Sequence, residues 1–87
     1  MINRASTEQH AVMNAQLVLA RKILSEDYNA PIDSRNVTIK GGKLICEIYQ
    51  QNIPSDGITY LNNVLRSVIH NHPDEKIRDD SVIVEFV

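Results

Sequence analysis

The chain has 87 residues, 43% of them hydrophobic and 23% charged, with a formal net charge of −2. That length leaves room for one domain around one small core and excludes a second, and the composition is that of an ordinary globular chain rather than a disordered or membrane one. Cys46 is the single cysteine, so no intrachain disulfide can form.

Residues before Ser6 show no basic start running into an apolar stretch, and no segment approaches the ~20 apolar residues that span a bilayer. These features point to a cytoplasmic chain with no membrane partner. The mild acidity offers no long-range attraction for a polyanion. The expected organisation is a single α+β domain over residues 1–87, with residues 1–5 as a flexible N-terminus.

The first structured segment opens at Ser6. In Ser6-Thr7-Glu8-Gln9 a hydroxyl can accept from the orphan amides of a helix start, and a Gln three residues on can reach back. A helix from about Thr7 to Glu26 follows, ended by Asn29-Ala30-Pro31. At 100° per residue Met13, Leu17, Ala20 and Leu24 form one apolar stripe and Val12, Leu19 and Ile23 a second, with Gln9 and Gln16 between them. Such a wide apolar arc predicts contact with more than one surface.

Val37 to Lys40 and Lys43 to Tyr49 flank Gly41-Gly42, a pair suited to the positive φ angles of a two-residue hairpin turn. In that register Val37, Ile39, Leu44, Cys46 and Ile48 share the core side. Thr38, Lys40, Lys43, Ile45, Glu47 and Tyr49 share the other. Pro54-Ser55-Asp56-Gly57 then forms a turn that caps a second helix, from about Asp56 to Asn71 and stopped by Pro73, with Ile58, Leu61, Val64, Leu65, Val68 and Ile69 in one arc. A polar linker over residues 74–81 leads to a third, β-branched strand from Val82 to Val87.

The order is α-β-β-α-β. It predicts a three-stranded, mainly antiparallel sheet in the order 2-1-3 with two helices, since that order keeps neighbouring strands antiparallel. It is similar to the type II KH topology, but the Gly-x-x-Gly loop that grips a nucleotide backbone there is missing, and topology alone assigns no family.

No residue pattern carries catalysis, a cofactor or a metal. His70 and His72 stand two apart on a helix and point about 160° away from each other, so they cannot chelate together. Cys46 falls on the core side of a strand, where a thiol acts as a small apolar group. The acids Asp74, Glu75, Asp79 and Asp80 lack the glycine and alternating oxygen ligands of a calcium loop.

What remains is surface. Val12, Leu19 and Ile23 on the first helix and Ile45, Tyr49, Ile83 and Val87 on the sheet form the candidate interface, too apolar to be left in water. The sequence is therefore read as a non-enzymatic protein-interaction module: a small inhibitor, an immunity or antitoxin-like factor, or an assembly accessory, forming a homodimer. Two alternatives stand beside it. One is a nucleic-acid binder using Arg35, Lys40 and Lys43 at the hairpin tip; the other is a small-ligand binder or enzyme with its site between protomers.

Overall fold

The capping box reads out as written. In the computed structural model, which describes residues 6–32, 34–78 and 81–87, the Ser6 hydroxyl accepts from the Gln9 amide at 3.1 Å, and the Ser6 amide donates to Gln9 Oε1 at 2.7 Å. Helix α1 (Thr7–Asp27) starts there. It ends where Asn29 takes φ 50 and the Ala30 N–H turns back to the Leu24 carbonyl at 2.9 Å, a backbone angle that Asn tolerates better than most residues. The expected flexible N-terminus, residues 1–5, lies outside the described residues.

Strands β1 (Ser34–Lys40) and β2 (Lys43–Ile48) form the hairpin. Gly41 and Gly42 take φ 60 and 77, the two positive angles of a type I′ turn. Val37 lies opposite Cys46, Ile39 opposite Leu44 and Lys40 opposite Lys43, with a register shift between Ser34 and Asn36. Helix α2 (Ser55–His70) follows, preceded by Pro54 with no side-chain cap. A short helix, α3 (Glu75–Arg78), and strand β3 (Val82–Phe86) complete the chain.

The class is α+β, but the sheet differs from expectation. Its order is β1-β2-β3, with β1 and β2 antiparallel and β2 and β3 parallel. The expected 2-1-3 order rested on keeping neighbours antiparallel. The connection through α2 and α3 is long enough to act as a parallel crossover, and it sets β3 directly beside β2. Ile45 then pairs with Ile83 and Cys46 with Val84, so α2 and α1 cover both strands at once.

The core lies between that sheet face and the two helices. Leu44, Cys46, Ile48 and Val82 meet Met13, Ala20 and Leu24 of α1 and Leu61, Leu65 and Ile69 of α2. Both helices sit on this one face. They cover β2 and β3 but leave β1 open: Val37 and Ile39, expected in the core with Leu44 and Cys46, are 47% and 36% exposed. The expected linker over residues 74–81 holds α3, and Ile77 from α3 is buried in the same core.

Two polar residues lie on the buried side of α1. Its buried stripe is Gln9, Val12, Met13, Gln16, Ala20 and Leu24, so the two glutamines that separated two apolar stripes in the sequence lie inside the contact. Gln9 Nε2 donates to the Gly42 carbonyl at 3.0 Å and the Ser81 carbonyl at 3.2 Å. Gln16 Nε2 donates to the Leu65 carbonyl at 3.1 Å. One side chain thus joins the helix start, the hairpin turn and the entry to β3, while the other ties α1 to α2.

Candidate functional site

With both helices on one side, no helix among the described residues covers the opposite face of the sheet. Side chains alternate between faces along a strand, so this face carries Lys43, Ile45, Glu47 and Tyr49 from β2 and its extension, and Ile83, Glu85 and Val87 from β3 and its extension. Thr38 and Lys40 join them from β1. Cross-strand pairing sorts them into rows: Lys40 beside Lys43, then Thr38, Ile45 and Ile83, then Glu47 beside Glu85. Val87 continues the ladder past the strand, its N–H donating to the Ile48 carbonyl at 2.9 Å and its carbonyl accepting from the Gln50 N–H at 3.1 Å. Tyr49 and Val87 close the face at 36% and 38% exposure.

Four of the seven candidate interface residues, Ile45, Tyr49, Ile83 and Val87, thus fall on one surface. Ile45 and Ile83 are half-buried by their own neighbours. The three from α1 fall elsewhere. Val12 is buried in the core and Leu19 and Ile23 are packed half-buried against it. Val12 and Leu19 also line a groove of about 320 Å³ between α1 and α2, together with Ala11, Ala15 and Val68. Much of the second α1 stripe is therefore used within the chain, and the large apolar residue that the helix exposes is Val18.

β3 also forms an edge of the sheet. The Leu44 N–H bonds the Ser81 carbonyl and the Val87 N–H bonds the Ile48 carbonyl, which fixes Ile83 and Glu85 toward β2 and turns the backbone groups of Val82, Val84 and Phe86 outward. A cleft of about 630 Å³ follows this edge beneath Asn62, Arg66 and His70 of α2. β1, the other edge, is interrupted by its register shift and ends in Lys40, features that discourage strand addition.

Of the hairpin-tip residues weighed for nucleic acid, Lys40 and Lys43 stand side by side and exposed. The Arg35 side chain lies outside the described residues. The connection between α2 and α3 reads Asn71-His72-Pro73-Asp74, without glycine. There His72 Nδ1 accepts from the Asp74 N–H at 3.0 Å, and its Nε2 stands 3.5 Å from Glu8, so this histidine ties the connection to the first turn of α1. His70 is exposed on α2.

Cys46 is buried in the core. Among the described residues no group of three or more His, Cys, Asp and Glu side chains could hold a metal ion. No helix among them is long and apolar enough to cross a membrane. Tyr28, whose ring lies 3.2 Å from where a side chain on Gly57 would begin, has its phenol raised above the usual range by desolvation, with Asp56, Asp27 and Tyr60 adding to the shift. Set against protein families, curated proteins and solved structures, the chain matches none of them.

Proposed function

We propose that the chain is a non-enzymatic protein-interaction module that acts by covering a partner's surface with the open face of its sheet. The observation that carries this reading is that Ile45 and Ile83 stand paired at the middle of a face over which neither helix lies. Fully burying an exposed aliphatic side chain of this size contributes about 1.5–3 kcal/mol; Ile45 and Ile83, half-buried within the chain, gain part of that on association, and their apolar centre between charged rows supports this face as the anchor. A small inhibitor, an immunity or antitoxin-like factor and an assembly accessory all work by such surface occupation. In this reading the chain functions in the cytoplasm and also pairs with itself as a homodimer.

The test is site-specific photo-crosslinking in the native host. A photoreactive residue in place of Ile45 should give covalent protein adducts, while the same residue in place of Val18, 63% exposed on α1, should give few. Adducts from the Val18 position and none from the Ile45 position would move the contact to the helical side and overturn the reading.

A further inference from the structure

The open face holds two like-charge neighbours that the fold does not compensate. Lys40 lies directly opposite Lys43, and Glu47 directly opposite Glu85. Like charges in facing cross-strand positions are unfavourable. Among the described residues none of the four forms an ion pair. The two pairs flank the row of Ile45 and Ile83, one on each side, two residues or about 6.6 Å along the strand.

Along β2 that pattern, Lys43, Ile45 and Glu47, is its own complement. A two-fold axis lying in the plane of contact, crossing the strands along the Ile45–Ile83 row, brings a second copy face to face with its strands reversed. Ile45 then meets Ile45 of the second copy, Lys43 meets its Glu47, and Glu47 meets its Lys43. On β2 both charges are matched twice by one operation, as an isologous contact requires, while Lys40 and Glu85 on the outer strands gain no opposite charge.

We propose that this face pairs with a second copy of the chain about that axis, with Lys43 opposite Glu47 across the interface on both sides of an Ile45–Ile83 centre. The proposal rests on the reading that the open face is a contact surface, and it names the occupant. Three strands about 4.8 Å apart and about six residues long at ~3.3 Å each span only about 14 by 20 Å. That is less than a standard stable interface uses, so the dimer should be reversible and dependent on concentration.

Light scattering and sedimentation of the wild-type chain and of Lys43→Glu and Glu47→Lys, from micromolar to millimolar concentration, provide the test. The wild type should rise from 9.8 kDa toward twice that mass. Each variant alone faces like charge with like and should associate about tenfold more weakly or worse. Mixed together, the two variants restore both opposite-charge contacts, so the mixture should associate as the wild type does. Thermal melts of each variant confirm that the fold is kept, both side chains lying at the surface.

A wild type that stays at 9.8 kDa throughout overturns the proposal while leaving crosslinking at Ile45 to decide whether a foreign protein uses the face. Association indifferent to both substitutions places the dimer on another surface, such as the β3 edge, and also overturns it. Weakening by both variants without recovery on mixing refutes the register.

Discussion

Replacing Gln9 with Ala removes a side chain that joins three parts of the chain. Its Oε1 accepts from the Ser6 amide at 2.7 Å, and its Nε2 donates to the Gly42 and Ser81 carbonyls at 3.0 and 3.2 Å. A hydrogen bond contributes about 0.5–1.5 kcal/mol net. The Ser81 carbonyl keeps the Leu44 N–H at 2.8 Å, and Gly42 is exposed enough for water to replace its donor, so these two losses fall at the low end. The Ser6 amide loses its capping partner outright. The sum is about 2 kcal/mol, or about 8–16 °C in melting temperature for a chain of this size.

Gln9→Glu sharpens the test. It keeps the acceptor for the Ser6 amide, and Glu serves well in a capping box, but it sets a carboxylate against two carbonyl oxygens. Thermal and urea melts should therefore rank wild type above Gln9→Ala, and Gln9→Ala above Gln9→Glu. A Gln9→Glu chain as stable as the wild type would show that the two donor contacts contribute nothing, and the account of how α1 holds the hairpin and β3 together would fail.

Gln16→Leu should change stability little by the same melts, because the Leu65 carbonyl lies within α2 and keeps its helical bond. Leu61→Ala and Leu65→Ala, at 0% and 4% exposure, should each cost about 2–5 kcal/mol; unchanged melting curves would show that the α2 face is not buried. Gly41-Gly42 replaced by Asn-Gly should fold normally, whereas Val-Val should be severely destabilised by the φ angles of 60 and 77, as circular dichroism would report. In an alkaline absorbance titration, Tyr28 should ionise above the ordinary tyrosine range. Since its folded-state value is raised, the unfolded chain loses that proton first, and the associated stability is full below the unfolded value and lost as pH rises through the folded one; a Tyr28→Phe chain should lack that loss.

Local features were legible in the sequence because short-range chemistry decides them. Ser6 with Gln9 wrote the capping box, Gly41-Gly42 the turn and the hairpin register, and Leu61, Leu65 and Ile69 the buried side of α2. Strand order was not legible, since the neighbour of β3 depends on what α2 covers and not on β3 itself. Ile77 was passed over because one apolar residue in a charged stretch has no period to read.

The buried stripe of α1 was misread for a related reason. Gln9 and Gln16 count as polar in any periodicity, yet they are 8% and 2% exposed and find carbonyl partners far away in sequence. Their place midway between two apolar stripes was the available signal. On the candidate surface, the apolar sheet residues were found from alternation alone. The Lys40–Lys43 row follows from the hairpin register, but the Glu47–Glu85 row emerged only with the true strand order, because Glu47 meets Glu85 only when β3 lies beside β2.

The claim that the open sheet face is covered by protein is most directly tested by hydroxyl-radical footprinting, comparing the chain in its native cells with the purified chain at high dilution. Ile45, Ile83 and Tyr49 should be labelled less in the cell than when dilute, with Val18 and Tyr60, 63% and 49% exposed on the helical side, labelled alike in both. Equal labelling of Ile45, Ile83 and Tyr49 in the two conditions would contradict it.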